Sequence, residues 1–292
     1  MTDADRDPDA DGDEAAAAVN ARAVAENQAL WDEWTAIHER SDFYHLDSFR
    51  QGGIRIRPHE LEDIGPVVDQ SLLHLQCHFG IDTLSFARLG ARVTGADFSL
   101  AAIELAGRLA DELGFADARF VRSTIDDLPD VLDEEFDLVY TSGGVLGWLP
   151  DIRSWARVVA HFVKPGGRFY ISEIHPVANV FENEGVGPGE LVLRYPYWEH
   201  RAPLRFETHG SYADPTAQVN TPYEHGWDHG LGEIVTALVD AGLEIRALRE
   251  FPFLNWKLDF LERHADGTWR MPPTAGGELP LTFSILATKR EA

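Results

Sequence analysis

The chain has 292 residues, enough to bury one large core or one core with an insertion. It carries 49 acidic against 25 basic residues, and a formal net charge of −24 argues against nucleic acid as a partner, because phosphates would be repelled. Only three basic residues are lysine. An acidic, lysine-poor surface suits multimolar salt, where repulsion is screened within about 3 Å at 1 M, so we predict a halophilic origin.

The N-terminal region divides into an acidic tail and a helix. Residues 1–19 are rich in Asp and Ala and have too little apolar surface to order themselves, so we predict a disordered tail before one domain over residues 20–292. Residues 20–41 have apolar side chains roughly on one side of a helix, which the cluster Asp42-Phe43-Tyr44 ends. The acidic start is unlike a targeting signal, and no apolar run approaches 18 residues. We therefore expect a cytoplasmic protein with no membrane partner.

The stretch over residues 71–99 carries the most informative pattern. An apolar strand, a glycine turn, a helix, a second strand and an acid follow one another at Leu72–Leu75, Gly80, Ile81–Leu89, Arg92–Ala96 and Asp97. In doubly wound α/β folds this unit binds a nucleoside, whose polar part meets the helix N-terminus and whose ribose hydroxyls meet the acid. Asp97 is therefore predicted to bind a ribose, since Ser99 is available as the N-cap of the next helix.

The alternation of strands and helices continues along the chain and predicts an α/β fold with a doubly wound sheet. Helices are predicted over residues 99–113, 152–162 and 232–241, and strands over residues 118–121, 136–141, 167–174, 243–253 and 281–288. Between them lies an irregular insertion over about residues 176–229, with strand-like pieces at 191–198 and 204–212. An insertion of this length is usually functional, and this one follows the carboxyl end of a strand, where ligands bind.

Three stretches of the chain resemble the class I S-adenosylmethionine-dependent methyltransferases. They are HLQCHFGIDTLSFARLGARVTGADFS, FDLVYTSGGVLGWLPD and VKPGGRFYISEIHP, and the resemblance extends over about residues 28–288. It implies a Rossmann-like, seven-stranded mixed sheet whose last strand is antiparallel, with an inserted cap. It also implies S-adenosyl-L-methionine as cofactor and SN2 transfer of its methyl group to an oxygen or nitrogen of a small molecule.

The first of these stretches departs from the family pattern. The family carries an acid and then alternate glycines, whereas this chain has His74, Gln76 and His78 before the surviving Gly80. Glycine permits positive φ and close approach of the backbone, so Gln76 and His78 must either tolerate the same path or alter it. An HLQCHFG-type first motif resembles a subgroup of the family, and we interpret the change as specific to that lineage.

The resemblance also implies which residues contact the cofactor. These are predicted to be Gln76, Cys77, His78, Gly80, Asp82, Asp97, Phe98, Thr124, Ile125, Asp126, Thr141 and Ser142. Thr124 stands where the family commonly has an acid for the adenine amino group, and the backbone N–H of Ile125 would serve a ring nitrogen. The N-terminal helix and its following residues, about 20–48, are expected to cover the cofactor as a lid. Residues predicted to line the substrate pocket or lid are Trp31, Tyr44, Trp148, Tyr223 and Trp227.

Histidines near the expected cleft are candidates for a general base. His175 follows a core strand and His229 ends the insertion, and imidazole titrates near neutrality. The alternative is that each histidine holds the cap through a hydrogen bond. Cys77 with His74 and His78 superficially resembles a metal cluster, but Cys77 and His78 would point to opposite sides of a continued strand. We predict no metal, and a lone cysteine excludes an intramolecular disulfide.

Two other classes of function compete with a methyltransferase. A nicotinamide-dependent oxidoreductase uses a similar strand–turn–helix–acid unit but should retain the glycine triplet for the pyrophosphate. A non-catalytic S-adenosylmethionine-binding or interaction protein would have no need for a large aromatic-rich cap. The sequence therefore favours a small-molecule methyltransferase and leaves its acceptor and oligomeric state open.

Overall fold

The computed structural model describes residues 8–198 and 202–291. Its α-helices are α1 (Pro8–Arg40), α2 (Leu46–Arg50), α3 (Pro58–Ile64), α4 (Ile81–Arg88), α5 (Leu100–Leu113), α6 (Leu128–Val131), α7 (Ile152–Phe162), α8 (Pro176–Asn179) and α9 (Leu231–Asp240). Short 3-10 helices lie at Asp42–Tyr44, Leu146–Trp148 and Pro273–Ala275. Among these residues no helix is both long enough and apolar enough to cross a membrane.

The strands form one large sheet and two small hairpins. They are β1 (Ser71–Leu75), β2 (Arg92–Asp97), β3 (Arg119–Arg122), β4 (Phe136–Thr141), β5 (Val163–Ile174), β6 (Leu204–Glu207), β7 (Tyr223–Gly226), β8 (Leu243–Phe251), β9 (Glu262–Arg263), β10 (Trp269–Arg270) and β11 (Thr282–Lys289). The seven-stranded sheet has the order β3-β2-β1-β4-β5-β11-β8, and β11 is antiparallel to both of its neighbours. This confirms the predicted Rossmann-like mixed sheet.

Helices cover both faces of the sheet, because its parallel strands carry apolar side chains on both faces. One cluster joins α7 and α9 to the sheet through Trp155, Phe162 and Phe169, and another places α3 and α4 against Tyr140 and Tyr170. In β1, residues Leu72, Leu73, His74 and Leu75 are all buried, as expected for a central parallel strand. The carboxyl ends of β1, β2, β4 and β5 therefore meet at one edge, where ligands of this fold class bind.

Helix α1 is longer than the sequence predicted. It begins at Pro8 rather than residue 20, so part of the acidic segment predicted to be a disordered tail is helical, and residues 1–7 lie outside the described residues. Its buried face follows a helical spacing through Ala23, Asn27, Leu30 and Trp34. The packing of this stripe stabilises the helix from Ala23 to Trp34, whereas none of residues 14–19 is buried.

The insertion differs more from its prediction. Residues 191–198 are not a strand and make only an isolated bridge, between Phe181 and Leu193. The regular part of the insertion is the antiparallel hairpin of β6 and β7. Asn27 of α1 exchanges two hydrogen bonds with the backbone of His225 in β7, at 2.8 and 2.9 Å. On its other side α1 reaches the core, because Asp32 Oδ1 accepts a 2.6 Å hydrogen bond from Ser99.

Candidate functional site

A cavity of about 410 Å³ lies at the carboxyl ends of β1, β2 and β4. The predicted cofactor residues that line it are Gln76, Cys77, His78, Gly80, Asp82, Asp97, Phe98, Thr124, Ile125, Asp126 and Ser142. Thr141 is fully buried in β4 and does not line it. Residues from four separate loops therefore meet around one space, which we call the cofactor cavity.

The loop between β1 and α4 takes a path that normally needs glycine. Gln76 and His78 have φ values of 56° and 49°, and Gly80 has φ 78°. Two non-glycine residues thus tolerate the left-handed region, at a cost of about 1–2 kcal/mol each. At Gly80 a side chain has no room, because a Cβ atom there would lie 2.6 Å from the Phe120 ring. Gln76 and His78 therefore adopt a backbone conformation that glycine takes without strain.

Asp97 is fixed at the end of β2 by two backbone donors. Its Oδ2 accepts a 2.8 Å hydrogen bond from the backbone N–H of His78, and its Oδ1 accepts one of 2.9 Å from that of Ser99. The side chain lines the cofactor cavity although the residue is only 7% exposed. Burial raises the pKa of Asp97 to about 6, while the two hydrogen bonds act in the opposite direction. The carboxylate is thus held rigidly with lone pairs left for a ligand.

The loop after β3 is more internally bonded than the sequence suggested. The Thr124 hydroxyl donates to Asp127 at 2.7 Å and accepts from the backbone N–H of Asp127 at 3.2 Å. Asp126 accepts a 2.5 Å hydrogen bond from Ser154 of α7. Thr124 and Asp126 therefore shape this wall of the cofactor cavity as well as lining it.

His74, at a position where the family that the sequence resembles has an acid, connects α4 to the loop after β4. Its Nδ1 lies 2.8 Å from Thr83 Oγ1 and its Nε2 lies 3.1 Å from Ser142 Oγ. Burial lowers the pKa of His74 to about 3, so the ring is neutral at physiological pH. Each ring nitrogen of His74 therefore has one hydroxyl partner. No group of three His, Cys, Asp or Glu side chains suited to a metal ion occurs in residues 8–198 and 202–291.

Sequence reasoning missed a charged corner of the cofactor cavity. Arg55 and Arg57 line it opposite Asp82. Within the described part of the chain, no hydrogen bond or ion pair engages the Arg55 guanidinium or the Asp82 carboxylate. Burial raises the pKa of Asp82 to about 6 although both arginines oppose it, and burial lowers the pKa of Arg55. The alternation Ile54-Arg55-Ile56-Arg57, two cations in a basic-poor chain, was the available signal.

Aromatic side chains of α1, the following loop and the insertion close the cavity. Trp31, Tyr44 and Trp148, which were predicted to line the substrate pocket or lid, line this cavity together with Tyr212 of the insertion. The Trp31 ring lies 5.0 Å from that of His78 and 5.3 Å from that of Trp148, both edge-on. The hydroxyls of Tyr44 and Tyr212 share a hydrogen bond, and burial raises the pKa of both. We call this arrangement the aromatic lid.

A smaller cavity of about 200 Å³ lies beside the first, and we call it the second cavity. Gly144, Trp148 and Ile174 line both, so the two spaces share a wall at the ends of β4 and β5. Trp227 lines the second cavity, whereas Tyr223 lines neither and instead packs against Arg205, whose guanidinium carbon lies 4.2 Å from the ring centre. Trp227 and Tyr223, which were both predicted to line the substrate pocket or lid, therefore have different surroundings.

The two histidines that were predicted as candidate general bases also have different surroundings. His175 lines neither cavity: its Nδ1 accepts from the backbone N–H of Val177 at 3.1 Å, and its Nε2 lies 3.0 Å from Glu250 on β8. This geometry gives no support to a catalytic role for His175, because both ring nitrogens have partners and the residue lies outside the walls of both cavities. His229 lines the second cavity, and its Nε2 donates to the carbonyl of Leu149 at 2.8 Å.

Comparison with known proteins agrees with this architecture. Residues 73–169, which begin within β1 and end within β5, match the family model described as a methyltransferase domain. Two solved structures, S-adenosylmethionine-dependent methyltransferases from Mesorhizobium loti and Listeria monocytogenes, superpose with TM-scores of 0.55 and 0.54. Their sequences are 19% and 18% identical to that of this chain. The matches include 79% and 80% of this chain, and 95% and 97% of the two neighbours. The chain has a class I methyltransferase fold.

A curated relative extends the similarity beyond the matched domain. A ubiquinone biosynthesis O-methyltransferase from Serratia proteamaculans is 27% identical over 183 residues, or 62% of this chain and 73% of the relative. Both structural neighbours are described as S-adenosylmethionine-dependent methyltransferases. The predicted motif subgroup and the halophilic origin stay predictions.

Proposed function

We propose that this protein is an S-adenosyl-L-methionine-dependent methyltransferase that methylates an oxygen or nitrogen of a small molecule. The observation that carries the proposal is the charge pattern of the cofactor cavity. Asp97 suits the ribose hydroxyls, and Arg55 and Asp82 offer opposite charges for the carboxylate and ammonium of the methionine part. The relatives named O-methyltransferases favour oxygen as the accepting atom.

The same charge pattern disfavours the nicotinamide alternative. A dinucleotide brings a doubly charged pyrophosphate, which needs several backbone N–H groups at the first loop. Here the loop places the buried Asp97 carboxylate against the N–H of His78, and Asp82 stands at the start of α4. The Asp82 carboxylate, at the helix start where a dinucleotide would place its pyrophosphate, would repel that group but suits the ammonium group of the methionine part.

In the proposed reaction, the residues of the protein act mainly by positioning the two reactants. S-adenosyl-L-methionine, when bound, supplies an electrophilic methyl group on a sulfonium. Glu173 organises the loop after β4, because its carboxylate accepts hydrogen bonds from the backbone N–H groups of Gly144, Val145 and Leu146 at 2.5 to 3.1 Å. The aromatic lid excludes water, and holding two reactants in line removes most of the entropic barrier to their reaction.

A base is needed only when the accepting atom carries a proton. Of the two predicted histidines, we retain only His229, whose Nδ1 has no hydrogen-bond partner among the described residues and lies 3.6 Å from Glu233. Since Nε2 donates to Leu149, Nδ1 is the nitrogen that is free of hydrogen in the neutral ring. This tautomer has the form that a proton acceptor requires.

Isothermal titration with S-adenosyl-L-methionine and with NADH tests the proposed cofactor. We expect one molecule of S-adenosyl-L-methionine to bind per chain and NADH to show no measurable heat. Tighter binding of NADH would contradict the proposal. A non-catalytic binding protein is distinguished by exposing the saturated protein to acceptor mixtures and measuring S-adenosyl-L-homocysteine, which only a transferase forms above the rate of spontaneous breakdown.

A further inference from the structure

The second cavity is placed to receive the methyl acceptor. It shares Gly144, Trp148 and Ile174 with the cofactor cavity, and these residues follow or end the strands β4 and β5. At about 200 Å³ it is smaller than most ligand pockets, so the part of the acceptor that it encloses is small. Its walls include the apolar side chains of Leu146, Phe206 and Trp227, which suits a compact apolar body.

Two glutamates line this cavity, and they differ in their partners. The Glu173 carboxylate is saturated, since the backbone N–H groups of Gly144 and Ile174 reach Oε1 and those of Val145 and Leu146 reach Oε2. The Glu224 carboxylate, in contrast, accepts no hydrogen bond and forms no ion pair anywhere in the described chain. Glu224 is therefore the unpaired acid of the second cavity.

Among residues 8–198 and 202–291, no lysine or arginine forms an ion pair with Glu224. The described residues that line the second cavity include no lysine or arginine. The ring Nε2 atoms of both lining histidines are engaged elsewhere, that of His225 with Glu26 at 2.7 Å and that of His229 with the carbonyl of Leu149. A partly buried carboxylate without a counter-charge is unfavourable, and burial together with nearby Glu184 raises the pKa of Glu224 to about 7.

An organic cation would complete this arrangement. The unpaired carboxylate supplies the counter-charge, and the rings of Trp148, Phe206 and Trp227 supply π-faces of the kind to which cations are attracted. The net charge of −24 attracts cations and repels anions at longer range. We propose that the second cavity binds the methyl acceptor through an ammonium group, with the Glu224 carboxylate as its counter-ion. This rests on the methyltransferase function proposed above and adds the class of its substrate.

Three probes with a similar apolar body and different charges test the proposal. They are 2-phenylethylamine, which is an ammonium ion at neutral pH, the neutral 2-phenylethanol and the anion 3-phenylpropionate. Each is titrated into the protein with and without saturating S-adenosyl-L-homocysteine. We expect 2-phenylethylamine to bind at least about tenfold more tightly than 2-phenylethanol, and 3-phenylpropionate to bind more weakly than either.

Two matched variants locate the effect. Glu224→Gln keeps the size of the side chain, so we expect it to abolish the preference for the amine and to leave the affinity for 2-phenylethanol unchanged. Glu184→Gln removes the nearby acid that does not line the cavity and should retain the preference. Equal affinities of the wild-type protein for all three probes, a preference that persists in Glu224→Gln, or no binding of any probe would overturn the proposal. Binding of S-adenosyl-L-homocysteine, measured in the same series, tests the cofactor assignment separately.

Discussion

His38 Nδ1 of α1 lies 2.9 Å from His78 Nε2 of the loop between β1 and α4. The other nitrogen of His38 lies 2.6 Å from Ser211 Oγ in the insertion. This chain of hydrogen bonds joins the lid helix, the insertion and the cofactor loop at one point. Because one nitrogen of the histidine pair must accept, the contact requires at least one ring to be neutral.

The histidine pair should make the folded protein sensitive to acid. Burial lowers the pKa of His38 to about 3 and that of His78 well below its ordinary value, whereas both titrate near 6.5 in an unfolded chain. Their contribution to stability is therefore fully present above about pH 6.5 and is lost as the pH falls below it. We expect His38→Gln to reduce the loss of unfolding free energy between about pH 7 and pH 5, by up to about 1.4 kcal/mol per pH unit.

Urea denaturation across this pH range measures that difference. Asp82 and Asp97, whose pKa values burial raises to about 6, have the opposite pH dependence in both proteins, so they cancel in the comparison. His161→Gln, which removes an exposed histidine of α7, is the matched control and should keep the wild-type slope. Identical slopes for wild type and His38→Gln would contradict the assignment.

Asp97→Ala should weaken the binding of S-adenosyl-L-homocysteine by about tenfold or more, because the ribose loses its charged acceptor. Asp137→Ala is the control. Asp137 accepts from Ser71 and pairs with Lys164 at 2.8 Å at the opposite end of the sheet, so its loss should lower stability and leave affinity unchanged. Calorimetric titration of both variants makes the comparison. Equal affinity of wild type and Asp97→Ala would remove Asp97 from the site.

Arg55→Leu should affect one end of the cofactor only. We expect about tenfold weaker binding of S-adenosyl-L-homocysteine, whose carboxylate loses its cation, and unchanged binding of 5′-methylthioadenosine, which lacks the amino acid part. Arg50→Leu, at an exposed arginine paired with Glu112, should change neither affinity. A parallel loss of affinity for both ligands in Arg55→Leu would mean that the variant disturbs the whole cavity.

The acidic composition predicts a dependence on salt. Screening shortens the range of charge repulsion from about 10 Å at 0.1 M to about 3 Å at 1 M, so the midpoint of thermal unfolding should rise between roughly 0.1 and 3 M KCl. Glycine betaine at equal osmolality controls for exclusion of solutes from the surface, since it screens no charge. A flat midpoint across the KCl series would contradict the predicted halophilic origin.

The parts of the site that the sequence predicted are those that local patterns determine. The role of Asp97 was predicted from its position at the end of a strand in a strand–turn–helix–strand unit. The role of Gly80 was predicted from the turn that this unit requires. The structure adds that Gln76 and His78 both have positive φ values, which glycine adopts more readily. A residue-by-residue pattern cannot show this, because the packing that holds them at positive φ comes from distant elements such as Val145, whose carbonyl accepts from Gln76.

The parts that the sequence did not predict come together through irregular segments. Tyr212 and Trp256 line the cofactor cavity from positions outside the helices and strands of the structure, so their approach depends on tertiary contacts. Glu224 is one acid among 49, and only the β6–β7 hairpin places it in the second cavity. For His175, the sequence predicted the position after β5 but not the surroundings of the ring. The structure shows that the ring contacts Glu250 and lines neither cavity.

We propose that the cofactor cavity binds S-adenosyl-L-methionine and that the sulfur atom of this ligand is directed toward the second cavity. A crystal structure with S-adenosyl-L-homocysteine tests this most directly. The account predicts both ribose hydroxyls within hydrogen-bond distance of Asp97, the carboxylate of the amino acid part at Arg55, and the sulfur nearest the wall formed by Gly144, Trp148 and Ile174. A nucleoside bound outside this cavity, or one inside it whose ribose does not contact Asp97, would contradict the account.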